Sequence, residues 1–174
     1  MIIYIKPTKL DGEITAAGLY AEYLNGASLI GNRIKVNGGK DIVKYLLSFN
    51  AKGTMFDLTE KEDYLPMLSF CACYACSDTQ ITSNDKDLVK ETVTAIKDMG
   101  GYAEVTDYGL IVHGKDGIRG GKVTVNDSRV ALAVVIASTC ADEKSEICGV
   151  ESIKEIAPTF IEDFISLGGQ IKTI

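Results

Sequence analysis

Helical stretches of two kinds alternate along the chain, and that alternation constrains the fold more than any single motif. One kind is apolar nearly all round: "ITAAGLYAEYL" from Ile14, "LPMLSFCACYAC" from Leu65 and "RVALAVVIASTC" from Arg129. A helix without a polar face has to be covered on every side. The other kind is amphipathic and ends in small residues or glycine: "DIVKYLLSFNAKG" from Asp41, "DLVKETVTAIKDMGG" from Asp87 and "PTFIEDFISLGG" from Pro158. In the second of these, Leu88, Val89, Val93, Ile96 and Met99 share one face; in the third, Phe160, Ile161, Phe164, Ile165 and Leu167 do. Gly100–Gly101 and Gly168–Gly169 are natural stops, because glycine tolerates the left-handed conformation that ends a helix.

Strand candidates separate the helices: "MIIYI", "RIKV", "TMFDL", "YAEV", "GLIVHG", "KVTV", "SEICGV" and "QIKTI". Three units of roughly 58 residues, each strand, buried helix, strand, amphipathic helix, strand, account for the whole chain. The expected architecture is α/β: one domain over residues 1–174 with units at about 1–57, 58–115 and 116–174. Apolar helices gather in the centre and sheets lie outside.

Composition excludes several functions. Of 174 residues, 46% are hydrophobic and 24% charged, an ordinary globular balance. A net charge of −6, with lysine and arginine scattered rather than striped, argues against nucleic acid and against anion binding except at a local cluster. No apolar run approaches the ~18 residues that span a membrane, and five residues before Lys6 and Pro7 are too few for a signal-peptide core. Five cysteines cannot all pair internally, so reduced thiols in the cytoplasm are expected. "CACYAC" has metal-like spacing, but its sulfurs lie in an apolar helix with no second ligand cluster, so no metal site is expected. His113, the one histidine, has no base or nucleophile near it in sequence.

The passage "GLIVHGKDGIRGGKVTVNDSRVALAVVIAS", followed by "VESIKEIAPTFIEDFISLGG", resembles the enolpyruvyl transferase family, in particular its 5-enolpyruvylshikimate-3-phosphate synthase branch. "EKEDYLPMLSFCACYA" is similar to the family's aspartate-led entry to an alanine-rich helix, and "IYIKPTKLDGEI" to the family's start. The resemblance implies one half of a two-domain fold with the active site in the cleft between halves. It implies enolpyruvyl transfer from phosphoenolpyruvate to shikimate 3-phosphate, with no cofactor. The Gly-Ser-Lys-Ser element that should follow "DGEI" is replaced by "TAAGLYAEYLNG", which has no lysine or arginine. The chain alone is therefore expected to be inactive without a complementary domain or chain. The alternative is a non-catalytic anion-binding or interaction domain derived from that fold.

Matched positions supply the candidate site. Arg129 matches the phosphoenolpyruvate-binding arginine; a structural pair with Asp127 or another acid is the competing reading. Asn126, Asp127 or Ser128 can cap its helix. Asp63 matches the aspartate that holds the shikimate hydroxyls and takes the proton; it could equally be a helix-start carboxylate favoured by the dipole. Lys154 lies one residue ahead of the family's catalytic lysine position, which Glu155 fills. Lys90 and Glu91, in "VKET", carry the letters of a substrate-binding lysine and a catalytic glutamate. Counting back from Gly100, however, puts the family's lysine on Asn84. On a helix Lys90, Glu91, Thr94, Lys97 and Asp98 form the wet face, and that reading is the stronger.

Overall fold

In a computed structural model, residues 1–5, 29–30, 33–34, 54–114, 116–166 and 168–173 are described. The first apolar helix, from Ile14, and the first amphipathic one, from Asp41, lie outside them, with most of the first unit. The described residues include the strands β1 (Ile2–Ile5), β2 (Leu29–Ile30), β3 (Arg33–Ile34), β4 (Thr54–Asp57), β5 (Thr79–Thr82), β6 (Ala103–Thr106), β7 (Gly109–Val112), β8 (Lys122–Thr124), β9 (Ser145–Cys148) and β10 (Ile171–Thr173). The α-helices are α1 (Leu65–Ala72), α2 (Lys86–Asp98), α3 (Ser128–Ala137) and α4 (Phe160–Ser166).

Two four-stranded sheets share one plan. The first has the order β4-β5-β7-β6, the second β8-β9-β1-β10. In each, the first pair is parallel and the rest antiparallel. A parallel pair needs a crossover, which α1 provides between β4 and β5 and α3 between β8 and β9. In the second sheet β1 occupies the place that β7 holds in the first. The N-terminal strand thus sits in the sheet of the C-terminal unit, and Thr54–Asp57 in that of the middle unit. Strands of the first unit therefore take part in the sheets of both later units. The physical reason is that β1 finds unpaired backbone between β9 and β10, with Ile3 and Ile5 fully buried on the inner face.

The apolar helices lie inside, as their composition demands. Every residue from Val130 to Ala137 of α3 is buried, and α1 buries all but Cys71. α1 and α3 pack against each other, and their side chains join the inner faces of both sheets in a continuous apolar core. Their few polar atoms are satisfied locally: Ser69 Oγ donates to the Leu65 carbonyl and Ser138 Oγ to the Val134 carbonyl, both at 2.7 Å. α1 stops at Ala72, earlier than the apolar run suggested. There Cys73, Tyr74 and Ala75 tighten into i→i−3 bonds that turn the chain toward β5.

α2 buries Leu88, Val89, Val93, Ile96 and Met99, as the periodicity predicts. Both glycine pairs close their helices alike: Gly101 N–H reaches back to the Ile96 carbonyl and Gly169 N–H to that of Phe164, each at 2.9 Å, with Gly100 and Gly168 at positive φ. That is the Schellman closure. In α4 only Phe160 and Phe164 are fully buried, while Ile165 faces outward. The helix begins two residues after Pro158. No helix among the described residues is long and apolar enough to cross a membrane.

Candidate active-site face

Three helix starts meet at one end of the molecule, and each brings a carboxylate. Asp85 caps α2 by accepting the Leu88 N–H at 3.0 Å. Asp127 caps α3, accepting the Arg129 N–H at 2.8 Å. Asp63 lies in the 3₁₀ turn Glu62–Tyr64 that leads into α1.

The Arg129 guanidinium bridges all three. Nε donates to Asp127 Oδ1 at 3.0 Å and Nη2 to Asp127 Oδ2 at 2.6 Å, a two-point contact. Nη1 reaches Asp63 Oδ1 and Nη2 reaches Asp85 Oδ2, each at 3.2 Å. The hydrogen bonds it donates to Asp127 raise the Arg129 pKa above its ordinary value despite the cost of burial, so the group is permanently charged. Burial would raise the Asp127 carboxyl, but hydrogen bonds from Arg129 outweigh it and hold it below the usual range.

Two glutamates fix the loops that carry these acids. Glu62 Oε1 accepts the Asn84 N–H at 2.7 Å, the Asp85 N–H at 3.0 Å and the Ser83 hydroxyl at 3.1 Å. Glu91 Oε1 accepts the Asn126 N–H at 2.6 Å and the Asp127 N–H at 2.9 Å. Charge-assisted bonds of this length are the strong ones. Glu91 is thus a partly buried loop anchor, a difference from the solvated reading. It lies within the first two turns of α2, beside the loop that precedes α3.

Lys90 conforms to the wet face. It is exposed, 3.9 Å from Asp87, and borders a groove of about 330 Å³ with Lys86, Thr106 and Asp107. Lys154 is exposed on the 3₁₀ turn Val150–Glu155, against which α3 packs. Neither lysine is among the Arg129 partners. Asp85 was absent from the sequence candidates, yet the count that puts the family's lysine on Asn84 puts its glutamate on Asp85. His113 gains partners through the sheet: its Nδ1 lies 3.1 Å from Asp78 Oδ1, and its ring stacks on Tyr102. Asp78 precedes β5, at the opposite end from Asp85. Among the described residues, no group of three or more His, Cys, Asp or Glu side chains is placed to hold a metal.

Residues 7–164 match the family model described as EPSP synthase (3-phosphoshikimate 1-carboxyvinyltransferase). The 3-phosphoshikimate 1-carboxyvinyltransferase of Clostridium kluyveri is 30% identical over 169 residues, covering 91% of this chain and 40% of that protein. The Methanocaldococcus jannaschii protein of the same name is 29% identical over 175 residues, covering 94% and 41%. The chain thus spans about 40% of these curated relatives. Among solved structures, EPSP synthase from Acinetobacter baumannii superposes with a TM-score of 0.58 at 24% identity, over 64% of this chain and 28% of that one. The enolpyruvyl transferase NikO from Streptomyces tendae gives 0.61 at 19% identity, over 70% and 29%. These two likenesses carry the fold alone.

Proposed function

Because this chain belongs to the EPSP synthase (3-phosphoshikimate 1-carboxyvinyltransferase) family, we propose that it supplies one face of an enolpyruvyl-transfer site and that a complementary domain or chain supplies the other. On this reading residues 1–174 form one domain, working in the cytoplasm where its thiols stay reduced. The substrates are phosphoenolpyruvate and shikimate 3-phosphate, joined by addition and elimination. Arg129 would hold phosphoenolpyruvate, and Asp63 the acceptor's ring hydroxyls and their proton. Asp85 takes the place of the family's glutamate, which leaves Glu91 to position the α3 loop. Lys90 and Lys154 have no part in the chemistry.

One observation carries this reading: a single arginine stands against Asp63, Asp85 and Asp127 where three helices start. Carboxylates to move protons are present, but two phosphates and a carboxylate need several cations. Lacking even two of them, at about 2–4 kcal/mol each, slows the reaction by roughly 10³ or more. The same saturation of Arg129 favours a second reading, a non-catalytic interaction domain.

Release of phosphate from phosphoenolpyruvate in the presence of shikimate 3-phosphate tests the two. The chain alone should give none, and a complementary half carrying the Gly-Ser-Lys-Ser element should restore it. Turnover by the isolated chain would sink the half-site proposal. Failure of every such half, with no phosphoester binding in calorimetry, would favour the interaction domain.

A further inference from the structure

We propose that Cys71, Cys140 and Met67 form a binding site for a soft, sulfur-seeking metal ion of the Cu(I) class, at the C-terminal ends of α1 and α3. This is the far end of these helices from the Arg129 cluster. A cavity of about 170 Å³ opens there, lined by Met67, Phe70, Cys71, Tyr74, Ala137 and Cys140. Three of these six side chains carry sulfur, and none carries a carboxylate or imidazole.

The walls are held in place. Tyr74 OH donates to the Cys140 carbonyl at 2.8 Å, tying the end of α1 to the segment after α3. The Tyr74 ring sits on Gly117, where a Cβ would fall 2.2 Å from a ring carbon and φ is +73°. Gly117 in turn donates its N–H to the Cys73 carbonyl at 3.0 Å. The remaining thiols are placed elsewhere: Cys73 Sγ points at the Ser69 carbonyl, 3.5 Å away, and Cys76 and Cys148 do not line the cavity.

Donor chemistry selects the ion. Thiolate and thioether ligands select Cu(I). Zinc asks for four nitrogen or sulfur ligands in a closed site and finds two thiols. Binding breaks two S–H bonds and forms two Cu–S bonds, releasing two protons with no change of oxidation state. Met67 adds a thioether. Cys140 is exposed, which lets water share the charge of the bis-thiolate complex.

The test titrates Cu(I), as its acetonitrile complex, anaerobically into the full reduced chain against the chelator bicinchoninate. One ion per chain, two protons released, and protection of Cys71 and Cys140 but not Cys76 from alkylation are expected. Cys140→Ser, on an exposed loop, and Cys71→Ser should each lower affinity about 100-fold or more, the upper end of what losing an outer support costs. Met67→Leu should cost about tenfold. Undiminished binding by Cys140→Ser, or protection confined to other thiols, would overturn the site. So would protection that persists after the ion is removed and yields only to reductant, the mark of a disulfide.

Discussion

Arg129 meets acids from three different stretches of chain, and its consequences can be measured singly. Removing the guanidinium leaves Asp63, Asp85 and Asp127 facing one another. Arg129→Ala should therefore cost about 1–3 kcal/mol, read as a lower urea midpoint. Arg129→Lys should recover only part of this, since a point charge cannot reproduce the two-point contact with Asp127. The Asp127 carboxyl titrates below its ordinary value of about 3.9 in the folded chain. Its contribution to stability is full above that unfolded value and is lost as pH falls through the lower folded one. Acid titration of stability should thus steepen below about pH 4, and Asp127→Asn should flatten that limb. Adjacent "VKET" residues should behave oppositely: Lys90→Ala should stay within about 0.5 kcal/mol, and Glu91→Ala should cost about 1.5–3 kcal/mol through two lost charge-assisted bonds. The Asp127 contact was legible because its partner lies two residues away. The Asp63 and Asp85 contacts, 66 and 44 residues away, were not. Nothing in local sequence tells an arginine which distant helix start will adjoin its own.

At the scale of elements, the two glycine-stopped helices and the two described apolar ones followed from periodicity and from the absence of a polar face. β5 escaped that reasoning. Its "TQIT" has one large apolar residue, and only its place between β4 and β7 makes it a strand, with Ile81 fully buried. β1 was recognisable as a strand but not as a member of the last unit's sheet. Because it is interior there, Ile5→Ala should cost about 2–5 kcal/mol. Hydrogen exchange should show the loss in β9 and β10, its two neighbours, before β4–β7. A cost below about 1 kcal/mol would contradict that placement.

At the scale of the whole molecule, α1 and α3 join two sheets through one apolar core, so the described units have no separate hydrophobic interiors. Far-UV circular dichroism and tyrosine fluorescence should follow coincident urea transitions; two separated transitions would show that the sheets unfold independently. The α/β class, the buried and amphipathic helices and the glycine closures are legible in the residues alone. All of these rest on local periodicity, local conformational preference or simple residue identity. Tertiary structure alone decided that the first strand completes the last sheet. It also decided that Glu62 and Glu91 clamp the loops ahead of α2 and α3, and that Arg129 is bound by acids from three helix starts. Those outcomes depend on which backbone groups remain unpaired and which charges fall within a few ångströms once the core has closed, and neither is encoded in spacing along the chain.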